Sequence, residues 1–202
     1  MTKYFSLLSI VLFFNCSPVS SSSDESSRRG SSDRPGSWAR ELNRPGLPNL
    51  HRVSPVLYRS AQPTAEGMRE AKRMGIKTVV NLRALHSDTD KLTGTGLFHE
   101  HIQVKAWHPE VEDVVRFLKI VNDPSKTPVL VHCQHGADRT GVMVAVYRVA
   151  VQGWSKKEAI REMKKGGYGY HRIWRNLPRF LKKLHMETIR RRAGIGVPSA
   201  AW

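Results

Sequence analysis

From residue 50 onward, short apolar runs alternate with stretches in which apolar residues return every three or four positions. Val56 to Arg59 reads as a short strand, after which Thr64 caps a helix that reaches Met74 and stops at Gly75. Ile76 to Leu82 is apolar enough for a second strand. The polar stretch from Arg83 to Phe98, with Gly94-Thr95-Gly96 inside it, predicts a loop, and His99 to Val104 returns to an extended pattern. Val111, Val114, Val115 and Leu118 mark one face of a helix over Glu110 to Val121. Val129-Leu130-Val131 has the compactness of a buried strand, and the apolar run from Thr140 to Gln152, closed by Gly153, predicts a buried helix. Ser155 and Glu158 form a capping box for the helix that follows, and a basic helix is predicted from Asn176 to Arg192. Strands alternating with helices predict an α/β fold, a mostly parallel central sheet flanked by helices, with its ligand site beyond the carboxyl ends of the strands.

The amino terminus breaks this pattern. An apolar run from Tyr4 to Phe14 follows Lys3 and is too short for a membrane span, which takes about 20 residues. Together with the Ser-rich stretch after it, the run reads as an export signal. Cys16 stands where a bacterial lipoprotein signal places its lipidated cysteine, although Asn15 departs from the usual small residue before it, and an ordinary cleaved signal is the competing reading. The expected organisation is an export or lipoprotein signal over 1–16, a flexible Ser/Arg/Pro-rich tether over 17–49, one domain over 50–192 and a tail over 193–202. That implies an exported protein, periplasmic or anchored to a bacterial membrane through Cys16, and a monomer.

Lysine and arginine number 33 against 17 acidic residues, a formal charge of +16. Such a surface attracts polyanions, whether phosphorylated proteins, polyanionic small molecules or acidic lipid. Nucleic acid is not an expected partner, because no nucleic-acid-binding motif is present and the basic residues do not interleave with aromatics. Two cysteines, Cys16 and Cys133, cannot build a disulfide framework or a thiolate zinc site, so each needs its own explanation.

For Cys133 the explanation lies in its surroundings: a strand, then Cys133, five residues, Arg139, Thr140 and a helix. A loop that enters a helix points successive backbone N–H groups inward, where they suit phosphate oxygens. Gly136 permits backbone angles that a side chain opposes, and Arg139 offers a planar fork for two oxygens of one phosphate, which lysine cannot copy. Gln134, His135, Gly136, Ala137, Asp138 and Arg139 are thus the expected substrate-binding residues. The positive field of this loop favours a Cys133 thiolate, and nucleophilic attack would give a thiophosphoryl enzyme. Thr140 is placed to hydrogen-bond the departing sulfur, while His132 orients the loop. An inert buried thiol is the alternative, but a histidine–cysteine pair with Arg-Thr or Arg-Ser at this distance arises by chance in well under about one chain in a thousand of this length.

The string HCQHGADRTG resembles the HCX5R[ST] signature of the protein tyrosine phosphatase superfamily. Tyr58-Arg59-Ser60-Ala61-Gln62-Pro63, Lys77-Thr78-Val79-Val80, the run from Tyr147 to Trp154 and Gly166-Gly167-Tyr168-Gly169 resemble its bacterial periplasmic, dual-specificity-like (TpbA-like) branch, and the likeness covers about residues 50 to 183. The resemblance implies a dual-specificity phosphatase-like fold, no metal or cofactor, and hydrolysis of phosphotyrosine and phosphoserine or phosphothreonine, with Cys133 as nucleophile and Arg139 on the phosphate. Two features depart from the pattern. Where the family supplies a mobile-loop aspartate as general acid, this chain reads Ala106-Trp107-His108-Pro109-Glu110. Asp138, directly before Arg139, stands where myotubularin-like and Sac-like phosphoinositide phosphatases carry an aspartate. Asp138 is therefore the expected general acid, with Glu110 and then Glu112 and Asp113 as alternatives. Phosphoinositides or inositol polyphosphates remain the alternative substrates, and a phosphate-binding pseudophosphatase is the alternative of another class.

Other residues are open between two roles. His99 and His101 share a strand face but lack a third ligand for a metal. Tyr168, Tyr170, His171, Arg172 and Arg175 either line the substrate mouth or pack a helix start. Arg83 lies at a strand end where ligands gather in such sheets, and Trp107 is expected to be a buried anchor of its loop.

Overall fold

A computed structural model of the chain describes residues 34–196. The export signal with Cys16, the first part of the tether and the last six residues of the tail lie outside the described residues. A six-stranded mixed sheet is built from β1 (Arg40–Glu41), β2 (His51–Ser54), β3 (Leu57–Ser60), β4 (Thr78–Asn81), β5 (Phe98–His101) and β6 (Val129–His132), in the order β1-β2-β3-β6-β4-β5. β3, β6, β4 and β5 run parallel, and β1 and β2 add an antiparallel margin. The helices are α1 (Ala65–Arg73), α2 (Thr89–Leu92), α3 (Val111–Val121), α4 (Asp138–Ala150), α5 (Lys156–Lys165), α6 (Asn176–Lys183) and α7 (Met186–Ala193).

Alternation along the central strands sorts side chains between two cores. Val129 and Val131 of β6 join Val80 of β4 in the larger core with α3, α4, α6 and α7, whereas Leu130 turns to the other face and packs with Ala71 of α1. α4 is apolar on nearly every side and is accordingly buried along almost its whole length. Its amino terminus faces the end of β6, so the helix that fills the core also delivers the phosphate loop. The predicted caps form: Thr64 Oγ1 accepts from Gly67 N, and Ser155 and Glu158 exchange the reciprocal bonds of a capping box.

Three expectations need correction. Residues 34–49 are not all tether, because Ala39 and Leu47 are buried and Ala39 N donates to Glu162 Oε1 over 2.7 Å. Glu162 is itself paired with Arg148 in the core, so the segment ends on a buried ionic node and the domain begins before residue 50. Burial by itself pushes the Glu162 carboxyl up, but Arg148, Ala39 N and Tyr168 outweigh it and hold it below the usual carboxylate range. The loop from Arg83 to Phe98 contains the short helix α2. The single helix predicted from Asn176 to Arg192 is two helices, broken where Leu184 adopts extended backbone and turns into the core. Lys156 Nζ donates to Lys182 O and Leu184 O, so a cation from α5 satisfies carbonyls that continuing helix would have used.

Candidate active site

Cys133 follows β6 directly and is 2% exposed at the floor of the loop that leads into α4. The loop is braced from outside by its own carbonyls. Gln62 N donates to Gln134 O at 3.2 Å, Asn49 Nδ2 donates to His135 O at 2.9 Å, and Arg59 Nη2 donates to Gly136 O at 2.5 Å. A trans peptide unit points its N–H opposite to its C=O. Three successive carbonyls turned outward therefore turn the N–H groups of His135, Gly136 and Ala137 inward, as a phosphate cradle requires. The α4 N-cap, Ala137, has no side chain to occupy the first-turn amides, which stay available to an anion.

Gly136 has a positive φ of 67°, and a Cβ there would lie 2.5 Å from Ser60 C and O, so both its backbone angle and the close approach of β3 demand glycine. Arg139 is half-buried at the start of α4, and its one side-chain hydrogen bond among the described residues, from Nη1 to Leu82 O, is long at 3.5 Å. Its fork is thus held near the pocket but not consumed by the protein. Thr140 is fully buried, and its Oγ1 has no hydrogen-bond partner among the described residues. A buried hydroxyl without a partner is uncommon. It does not bond Cys133 here, and its lone pairs and proton are available.

His132 is fully buried and donates from Nε2 to Asp88 Oδ2 at 2.8 Å, while Asp88 Oδ1 accepts from Gln62 Nε2 at 2.7 Å. Burial pushes the Asp88 carboxyl up, but the bond and charge of His132, with the Gln62 bond, outweigh it and hold it below the ordinary range. Arg83 Nη1 joins the same network through Gln62 Oε1. His132 thus sits in an orienting network at the strand ends.

Asp138 is buried in the first turn of α4, and both its oxygens face His171: Oδ1 accepts from the His171 backbone N at 2.9 Å and Oδ2 from Nδ1 at 2.7 Å. The His171 side chain is 48% exposed, and its ring meets the ring of His135 edge-on, with centroids 5.2 Å apart. An aspartate-oriented imidazole therefore stands at the rim of the phosphate loop, with Nε2 as its remaining ring nitrogen. Glu110 is exposed at the N-cap of α3 and makes no cap bond, Glu112 pairs with Arg192, and the carboxyl of Asp113 is raised by burial. Trp107 is 66% exposed, so it does not anchor its loop in the core. Asn176 Nδ2 holds that loop instead, by donating to Ala106 O.

Arg59, Asn49 and Asp88 are site residues that spacing along the chain did not reveal. Arg59 is fully buried under the loop with its guanidinium 3.6 Å from the centre of the Tyr168 ring. Burial lowers its pKa to about 10, against the nearby Tyr168, Glu162 and Cys133. Its Nε and Nη1 have no partner among the described residues. Asn49 adopts φ 54°, and its side chain also donates to Tyr168 O at 3.0 Å, tying the loop to the glycine-rich turn.

Comparison with known proteins agrees with this geometry. Residues 47–173 match the family described as DSP-PTPase phosphatase fused to NAD+ kinase. The dual specificity protein phosphatase TpbA of Pseudomonas aeruginosa is 33% identical over 161 residues, which cover 78% of this chain and 71% of TpbA. The crystal structure of a cysteine-to-serine form of P. aeruginosa TpbA in complex with phosphotyrosine superposes with a TM-score of 0.71 at 32% identity, over 81% of this chain and 99% of that one. The inositol diphosphatase DSP5 of Arabidopsis thaliana is 28% identical over 131 residues, 58% of this chain and 61% of DSP5. With Cys133 and Arg139 flanking an inward-facing amide loop, the chain belongs to the dual-specificity branch of the cysteine-dependent protein tyrosine phosphatases.

Proposed function

We propose that this protein hydrolyses phosphotyrosine, and phosphoserine or phosphothreonine, in phosphorylated proteins, with the roles of its site residues as follows. Cys133 Sγ attacks phosphorus, and the bond from phosphorus to the ester oxygen breaks as the thiophosphoryl enzyme forms. The inward amides of 135–137 and the Arg139 fork carry the charge on the three non-bridging oxygens. The leaving oxygen takes its proton through the Asp138–His171 pair, which acts through His171 because both Asp138 oxygens are engaged by it. Water then gives that proton back as it attacks phosphorus, and the Cys133 thiolate departs with the free Thr140 hydroxyl as its hydrogen-bond donor. The outward bracing of three consecutive loop carbonyls carries this reading, because it leaves the cradle assembled before any substrate arrives.

Inositol polyphosphates are the competing substrates, favoured by the likeness to DSP5 and by the +16 charge. Protein phosphotyrosine stays ahead on the longer and closer match to TpbA. The full chain is expected to hydrolyse an aryl phosphate in the presence of EDTA. Cys133→Ser should abolish turnover while retaining phosphate-ester binding. Activity that EDTA abolishes and a divalent ion restores would overturn the cysteine mechanism, and unchanged turnover in Cys133→Ser would overturn the nucleophile. Export to the periplasm with lipidation at Cys16 is part of the same proposal. A palmitate analogue should label the wild-type chain but not Cys16→Ala in a bacterial host, and equal labelling would refute it.

A further inference from the structure

The groove between α5 and α6 carries charge that the chemistry above does not use. It measures about 290 Å³ and is lined by Lys164, Arg172, Arg175, Arg179 and Lys182, with Tyr170 in its wall and no acidic residue. All five cations are exposed, and none makes an ion pair or a side-chain hydrogen bond among the described residues. Elsewhere Arg73, Arg116, Lys126, Arg148 and Arg192 each meet a carboxylate, whereas the groove gathers five cations around one concavity with no acidic residue in its lining. Five uncompensated positive charges on a concave surface repel one another and focus a field that raises the local concentration of anions.

This wall is tied to the phosphate loop. The segment that supplies Tyr170, Arg172 and Arg175 also supplies His171, which holds Asp138 through two hydrogen bonds. Tyr170, in the groove wall, is adjacent in the chain to His171, and burial and then the charge of Asp138 raise the pKa of its phenol. Tyr170 Oη donates to Trp174 O, which fixes the wall from within. The scissile phosphate already has the loop amides and Arg139, and it leaves these five cations unmatched.

We propose that this groove is a second anion subsite, which takes a further phosphate group of a multiply phosphorylated substrate whose scissile phosphate occupies the Cys133 loop. The inference rests on the phosphatase reading above. The second phosphate has the same chemistry whether it sits on a neighbouring residue of a peptide or on the ring of an inositol polyphosphate.

The test compares the full-length wild-type chain with the triple variant Arg175→Gln, Arg179→Gln, Lys182→Gln. A control, Arg40→Gln, Arg69→Gln, Lys119→Gln, removes the same charge from exposed positions elsewhere. Substrates are an aryl phosphate, singly and doubly phosphorylated forms of one peptide, and an inositol polyphosphate. The wild type should prefer a doubly charged substrate over its monophosphate counterpart by about tenfold or more in kcat/KM at low salt, mainly through KM, from several exposed pairs of two- to fivefold each. The preference should shrink at about 0.15 M salt, where the Debye length is about 8 Å. The triple variant should lose the preference and keep its rate on the aryl phosphate, while the control keeps both. The peptide and inositol arms show which source fits the groove. Equal preference in wild type and triple variant, or equal loss in the control, would overturn the subsite. Absence of aryl phosphate turnover in every protein would instead strike the phosphatase reading. In that event calorimetric binding of the inositol polyphosphate to the Cys133→Ser chain, with and without the triple substitution, still decides the groove: undiminished affinity in the triple variant refutes it.

Discussion

Replacing Arg59 by methionine should separate catalysis from stability. The guanidinium is fully buried and gives one charged hydrogen bond to Gly136 O, a contact of about 1.5–3 kcal/mol. Its position over Tyr168 adds up to about 2 kcal/mol. Against these stand the desolvation that lowers its pKa to about 10 and two donors, Nε and Nη1, without partners, at about 1–3 kcal/mol each. The balance for folding is close to zero, and an apolar side chain of similar volume often replaces a buried charge without loss. Arg59→Met should therefore leave Tm within a few degrees. The loop has no such compensation. Gly136 is the most permissive residue in it, and without its donor the peptide unit loses about 2 kcal/mol of preference for the inward N–H. At about 1.4 kcal/mol per tenfold, that lowers the competent population, and with it kcat/KM for an aryl phosphate, by up to about 30-fold, the full factor applying where the unbraced loop has no residual preference for the inward N–H. Phosphate affinity measured in a Cys133→Ser background should fall in parallel. Unchanged kcat/KM would refute the brace, and an activity loss that merely follows a large drop in Tm would make Arg59 a packing residue.

Asp138→Asn and His171→Gln should each steepen the dependence of rate on leaving-group basicity and cost about 10²–10⁴ on poor leaving groups, whereas Glu110→Gln should do neither; a uniform loss for all esters would make the pair structural, and steepening in Glu110→Gln would return the role to the 106–110 loop. Arg139→Lys should cost about 10²-fold or more in kcat/KM, because an ammonium cannot span two phosphate oxygens, and near-normal kinetics would end that assignment. The Asp88 carboxyl is held below its ordinary value in the folded state, so its stabilisation is complete above about pH 4 and is lost as the pH falls through the lower folded value. Thermal melts between pH 7 and pH 2 should show a shallower acid-side decline for Asp88→Asn than for wild type, and parallel curves would contradict the His132–Asp88 account. Asn49→Ala removes two hydrogen bonds and strains a left-handed backbone, so it should lower both Tm and phosphate affinity; Asn49→Gly should recover part of the Tm but not the affinity, and full recovery of both would reduce Asn49 to a turn residue.

The parts of the fold legible in the sequence are those whose signals are local. Thr64, the Ser155–Glu158 capping box and the buried run of α4 each declare themselves within a few residues, and all form. The failures come from tertiary contacts that override a local pattern. The stretch from Asn176 to Arg192 is a continuous amphipathic helix by spacing, yet Leu184 buries in the core and the cation of Lys156 rewards the break by taking the freed carbonyls. Residues Arg40 and Glu41 carry no strand signal, because both are exposed and β1 exists only by pairing with β2. Its neighbour Ala39 is buried because Glu162, 123 positions later, accepts its N–H.

The active site divides along the same line. Cys133 to Thr140 is contiguous, and the chemistry of a thiol, a fork and a glycine at fixed spacing points to phosphate without any knowledge of the fold. What holds that loop is not contiguous: Asn49 reaches it across 86 positions, Arg59 across 77, and Asp88 meets His132 across 44. Of these only Arg59 left a trace, since an arginine within a short apolar strand next to a serine is costly unless something in the interior needs it. The pairing of Asp138 with His171 is the most consequential of the long-range contacts. Position in the chain made Asp138 a free carboxylate beside Arg139, whereas folding gives one of its oxygens to the His171 backbone N–H and the other to the His171 imidazole, so in the proposed mechanism the proton travels through a residue that follows a glycine-rich turn. That turn also leads into the wall of the basic groove. The same short segment, from Tyr170 to Arg175, therefore holds Asp138 through His171 on one side and presents Arg172 and Arg175 to the groove on the other.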